Sequence, residues 1–128
     1  MDLFNKYKTS EKLESEGSIY KVGDAIFHVA RQGGENKHYS ELFQKHFEPY
    51  SEQLRNGQIE ESFAKKLLIE VFAKGCIKGW ENVEYKGEKL EYNEENAIML
   101  MTELPDFYKE LSEFSQVIDN YRAVLEKK

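Results

Sequence analysis

The chain is poor in the features that would give its function away. It has one cysteine, Cys76, among 128 residues. That excludes an internal disulfide and a zinc knuckle, and it points to a reducing compartment. Prolines number two, Pro49 and Pro105, and each is expected at a helix boundary. No apolar run approaches the roughly 20 residues of a membrane span. The first residues, MDLFNKYKTSEKLESEG, contain no apolar core of a leader peptide, so no secretory signal is expected. A basic footprint is missing as well. Residues 1–80 hold 12 acids and 12 bases, whereas residues 81–128 hold 12 acids and 6 bases, which accounts for the net charge of −6. A phosphate backbone or an anionic bilayer needs positive charge, so neither nucleic acid nor membrane is expected as a partner.

What is present belongs to a folded domain. Aromatic residues make up 13% of the chain, too many for disorder throughout. Residues 1–16 read as a flexible N-terminal arm with isolated apolar positions. Residues 17–128 then read as a single mostly helical domain. It opens with a β-hairpin, SIYKV and AIFHVA around Gly23-Asp24. Helical spacing begins near Asn36, is interrupted by Pro49 and stops at Asn56-Gly57. A wide apolar face predicts a second helix from about Glu60 to Lys78, closed by Gly79-Trp80. Lys86-Gly87 centres a small second hairpin or a long loop. Asn93 is the expected N-cap of a helix over Glu94–Glu103. Pro105 suits the first turn of a last helix reaching about Glu126. The fold class is thus mostly α (α+β), an N-terminal hairpin followed by four to five helices in a small bundle.

The last segment has the most regular pattern. Phe107, Leu111, Phe114, Ile118, Tyr121 and Leu125 are spaced 4, 3, 4, 3, 4, an a/d seam of almost three heptads. Two readings stand. The seam packs on the chain's own second helix, or part of it stays open for another helix or subunit. In the second reading Phe107, Leu111, Phe114, Ile118 and Tyr121, with Trp80, form a partner-binding surface.

Catalytic constellations are not apparent. His38 and His46 lie two helical turns apart, with Glu41 and Glu48 nearby, but the spacing matches no ligand motif, so no metal is expected. Cys76, near a helix C-terminus, reads as a packed thiol rather than a nucleophile. Gly33-Gly34 lacks the Lys-Ser/Thr pair of a phosphate loop. The paired carboxylates Glu60-Glu61, Glu94-Glu95 and Glu110 with Glu113 read as solvated helix faces. The expectation is a protein that is not an enzyme and takes no cofactor.

The order of several pieces carries a resemblance. Phe27-His28-Val29-Ala30-Arg31 is followed by Gly33-Gly34-x-Asn36-x-x-Tyr39 and Phe47-Glu48-Pro49-Tyr50. Then come Gly79-Trp80-Glu81-Asn82-Val83, Tyr92-Asn93-Glu94-Glu95-Asn96 and Leu104-Pro105-Asp106. Across about residues 17–116 this order resembles the tail assembly chaperones of long-tailed bacteriophages, in their short form. The resemblance implies a small soluble protein of the host cytoplasm that binds the tape measure protein, keeps it soluble and helps recruit tail tube protein. It further implies possible self-association and absence from the mature virion. Two other classes remain beside it: a minor tail or tail-completion protein retained in the virion, and a small phage regulator binding a host protein.

Overall fold

A computed structural model describes residues 2–126. The chain order is α1 (Leu3–Tyr7), α2 (Glu11–Glu16), β1 (Ser18–Val22), β2 (Ala25–Val29), α3 (Lys37–Phe47), a 3-10 turn (Glu48–Tyr50) and α4 (Ser51–Arg55). It continues through α5 (Glu61–Gly75), β3 (Ile77–Glu81), β4 (Glu84–Tyr85), β5 (Glu88–Lys89), α6 (Glu94–Glu103) and α7 (Pro105–Phe114). A 3-10 turn (Ile118–Tyr121) and α8 (Ala123–Glu126) complete it. The fold is mixed helix and strand with the N-terminal hairpin expected from Gly23-Asp24. Val22 pairs with Ala25 across that two-residue turn, and Gly23 supplies its positive φ of 58°.

The hairpin does not stand alone. β3 adds to β2, giving an antiparallel sheet in the order β1-β2-β3. This corrects the expected second helix, which ends at Gly75 rather than Lys78. Its end has a physical cause. Gly75 packs against Tyr39, so closely that a Cβ there would lie 3.0 Å from the Tyr39 Cα. The Gly75 carbonyl accepts from Asn36 Nδ2 at 3.0 Å, and the Cys76 carbonyl accepts from the Ala30 amide at 2.6 Å. Those partners turn the chain out of the helix and into the sheet. Cys76 is therefore a cap residue, not a helical one, and it is sealed in the core.

α5 is the spine. It packs on α3 along one side and on α6 along the other. The main core joins the sheet's inner face, Phe27 and Val29 with Ile77 and Trp80, to Phe72 of α5, Leu100 and Met101 of α6 and Leu111 of α7. Each large side chain so buried contributes about 1.5–3 kcal/mol. A smaller cluster, Phe47 with Leu67 and Val71, lies under α3. The caps follow the sequence: Asn93 Oδ1 accepts from the Asn96 amide at 2.7 Å, and Pro105 opens α7.

The long last helix is also corrected. α7 stops at Phe114. Ser115 is buried, and its hydroxyl donates to the Ser112 carbonyl at 2.7 Å. Asn120 Nδ2 donates to the Phe114 carbonyl at 2.8 Å. Gln32 reaches in from the other side, its amide donating to the Ser115 carbonyl at 3.0 Å and its Nε2 to Ser115 Oγ at 2.8 Å. These bonds satisfy the helix end and redirect the chain.

Residues 1–16, expected as a flexible arm, contain α1 and α2, and the second half of the segment is packed. Glu14 is only 1% exposed and pairs with Arg31. Its other oxygen accepts from the Glu35 amide at 2.9 Å. Thr9 bridges Arg122, and the Ser10 amide donates to the Tyr121 carbonyl at 2.8 Å. The packed unit therefore begins near Thr9 rather than at residue 17.

Candidate functional site

The residues of the expected seam fall mostly inside. Leu111 and Tyr121 are sealed, and Trp80 is buried with its indole N–H donating to the Leu90 carbonyl at 2.8 Å. Phe114 is half-buried, edge-on to Tyr20 at 5.2 Å and to Tyr121 at 6.2 Å. Ile118 lies half-buried in the 3-10 turn after α7. The seam marks core at Leu111 and Tyr121, whereas Phe107, Phe114 and Ile118 are half-buried and Leu125 is exposed. Phe107 alone among the six lines an open groove.

That groove, of about 920 Å³, is assembled from three segments distant in sequence. The first wall is the tip of the β1–β2 hairpin, with Val22, Asp24, Ala25 and Phe27. The second is the stretch around β4–β5, Asn82 to Tyr85 with Lys89. The third is the junction of α6 and α7, with Leu100, Leu104 and Phe107. Its floor is core: Phe27, Val83 and Leu100 are buried, and the Phe27 and Phe107 rings meet edge to face at 5.0 Å. Its lips are apolar and open, since Val22 is 49% exposed and Leu104 is 37% exposed.

The backbone holds the lips in place. Asn82 has a positive φ of 58°, and its Nδ2 donates to the Asp24 carbonyl at 3.2 Å, tying the second wall to the hairpin tip. The Val83 carbonyl accepts from the Leu90 amide at 2.8 Å. Lys86 and Gly87 both have positive φ, 54° and 83°, as the β4–β5 turn requires. Residues held in this rare region concentrate at functional surfaces. Tyr85 donates its hydroxyl to the Glu103 carboxylate, which raises the phenol's pKa and links the second wall to the end of α6.

Charge is confined to the rim. Asp24 and Glu84 are exposed carboxylates of the lining, and Lys89 is shared with Glu91 at 3.5 Å. Outside the groove, Cys76, His46 and His28 each have a partner. Burial pushes the Cys76 thiol up, away from the reactive thiolate, and its sulfur faces the Arg31 carbonyl at 3.9 Å. His46 Nδ1 lies 2.9 Å from the Leu42 carbonyl, to which it donates, and its Nε2 lies 3.4 Å from Lys74. His28 meets Glu81 at 3.3 Å on the outer face of the sheet. His38 is exposed on α3. Among the described residues, no group of three or more His, Cys, Asp or Glu side chains is placed to hold a metal ion. No helix among them is long and apolar enough to cross a membrane.

The comparison with known families decides the origin. The model of the YdaY prophage protein family matches residues 34–128, about three quarters of the chain. The chain belongs to the YdaY prophage protein family. It is a phage-derived protein. No curated protein matches it, and no solved structure does. Within this YdaY-family protein the matched span begins at Gly34 and includes two of the three groove walls. The hairpin wall, Val22 to Phe27, precedes it.

Sequence reasoning missed Val22, Asn82 and Leu104. A signal existed for two of them. Val22 is an apolar residue immediately before a tight turn, and Leu104 is an apolar residue wedged between a helix end and Pro105. Both positions face solvent unless something covers them.

Proposed function

We propose that this prophage protein is a tail assembly chaperone without enzymatic activity, acting in the host cytoplasm. It binds the tape measure protein, keeps it soluble and helps bring tail tube subunits to it. The observation that carries the reading is the open apolar groove bounded by Val22, Leu104 and Phe107. A holdase needs such a surface, one that is apolar, preformed and reversible. The phage origin of the family and the ordered resemblance along residues 17–116 support the same reading. The groove takes over the role first given to the seam residues. Phe107 remains in the client surface and Trp80 packs behind it on Phe27, while Leu111, Phe114, Ile118 and Tyr121 lie outside the groove.

Co-expression with the tape measure protein of the same prophage tests the proposal. The expected outcome is co-precipitation and a larger soluble fraction of the long protein. A tape measure protein that stays insoluble and unbound overturns it. Recovery of the chain from purified particles would favour a structural tail component instead.

A further inference from the structure

The groove's chemistry narrows what it takes. Three observations bear on the occupant. The first is the lining, with apolar lips at Val22 and Leu104 over the aromatic floor of Phe27 and Phe107. The second is that two of the wall carbonyls are already bonded. The Asp24 carbonyl is taken by Asn82 and the Val83 carbonyl by Leu90, so these carbonyls are not offered to an added strand. A segment that satisfies its own backbone suits such walls, and that is a helix. The third is rim charge. Asp24 and Glu84 stand exposed at the mouth. Glu103 is bound to Tyr85 beside it, and the cation of Lys89 is already shared with Glu91. Lys86 lies over the Tyr85 ring at 5.4 Å, so Asp24, Glu84, Glu91 and Glu103 outnumber Lys86 and Lys89 around a trough that is apolar at Val22, Phe27, Leu104 and Phe107.

We infer that the groove binds an amphipathic helix of a partner protein whose apolar stripe is flanked by lysine or arginine, with Asp24 and Glu84 selecting the basic flank. The stripe covers Val22, Leu104 and Phe107, and the flanking cations meet the rim carboxylates. This deepens the chaperone reading by giving the recognised segment's chemistry. Charge at such a rim governs on-rate and partner choice more than raw affinity. Binding therefore weakens as salt rises.

The test uses the full chain and two designed peptide helices of about five turns. They share one leucine stripe and differ only in the flanks, lysine in one and glutamate in the other. Peptide anisotropy at low salt reads binding. The lysine-flanked peptide is expected to bind about tenfold more tightly. The double change Asp24→Lys with Glu84→Lys is expected to abolish or reverse that preference. Val22→Thr with Leu104→Gln is expected to weaken both peptides. Leu68→Glu, on an exposed site of α5 outside the groove, leaves both unchanged. Circular dichroism melts confirm that the variants fold, since all five positions are exposed.

Equal binding of the two peptides overturns the inference, as does no binding of either. Binding indifferent to Val22→Thr with Leu104→Gln overturns it too. The two proposals separate cleanly. Peptide selectivity without rescue of the tape measure protein leaves the groove chemistry standing and removes the tail-assembly reading. Rescue without peptide selectivity does the reverse.

Discussion

Tyr121 donates its hydroxyl to the Val29 carbonyl at 2.9 Å, across 92 positions of sequence, and both residues are sealed from solvent. The bond ties the turn after α7 to the end of β2. Burial raises the phenol's pKa well above its ordinary value. Replacing Tyr121 by Phe leaves the Val29 carbonyl buried without that donor, a loss of about 1–3 kcal/mol. Replacing it by Ala adds a cavity and costs about 3–5 kcal/mol. Urea unfolding midpoints of the two variants check both values.

Phe114 and the groove lips separate stability from binding. Phe114→Glu places a carboxylate between Tyr20 and Tyr121 at a half-buried site, and destabilisation of about 1–3 kcal/mol is expected. Val22→Thr with Leu104→Gln alters exposed positions, so stability is expected to stay within about 0.5 kcal/mol of the parent, as is typical of surface changes. Client capture falls in that double variant. Thermal melting alongside co-precipitation of the tape measure protein distinguishes the two effects.

Glu14 anchors α2 to the loop before α3 through Arg31 and the Glu35 amide. Glu14→Ala leaves the guanidinium without its carboxylate. Breaking a buried pair costs about 3–5 kcal/mol. Arg31 keeps 24% side-chain exposure and retains some water, which places the expected cost near the lower end of that range. Amide exchange across residues 9–16 is expected to rise in the variant, and hydrogen-exchange mass spectrometry reads it.

Alkali should unfold the protein through its tyrosines. Burial pushes the Tyr39 phenol from 10.0 to about 12, and Tyr92, Tyr108 and Tyr121 also shift upward, chiefly through burial. The folded chain thus holds these protons to higher pH than the unfolded chain does. Their contribution is complete below about pH 10 and is lost as pH rises towards 12. Unfolding midpoints taken with phenolate absorbance across that window check the direction.

Lys86 holds a left-handed conformation at φ 54°, next to Gly87 at 83°. Asn accepts that region more readily than Lys. Lys86→Asn is expected to stabilise the protein by about 0.5 kcal/mol, read as a small rise in melting temperature.

Local signals in the sequence locate many of the elements. Gly23-Asp24, Pro49, Asn56-Gly57, Lys86-Gly87, Asn93 and Pro105 each act through their own backbone, so the turn, cap or break they imply appears where they stand. β3 was hidden because Ile77 keeps helical spacing four residues after Ala73, while the cause of the helix end, Tyr39 against Gly75, lies far off in the chain. The break after Phe114 was hidden for a related reason. Tyr121 packs on Phe114 and bonds the Val29 carbonyl, so it is buried at a heptad position after the helix has ended. Of the groove, only Phe107 was legible. Its walls come from three segments that periodicity along one helix does not connect.

The pairing of Thr9 with Arg122, and of the Lys8 carbonyl with the Ala123 amide at 3.0 Å, has a consequence during synthesis. Contacts between residues this far apart in sequence form late, because the loop they close is long. On the ribosome, the sheet and α2 wait for residues 115–123 before their last hydrogen bonds can form. The fold is therefore complete only once residue 123 has emerged, and a nascent chain stalled before Ser115 carries an unfinished core.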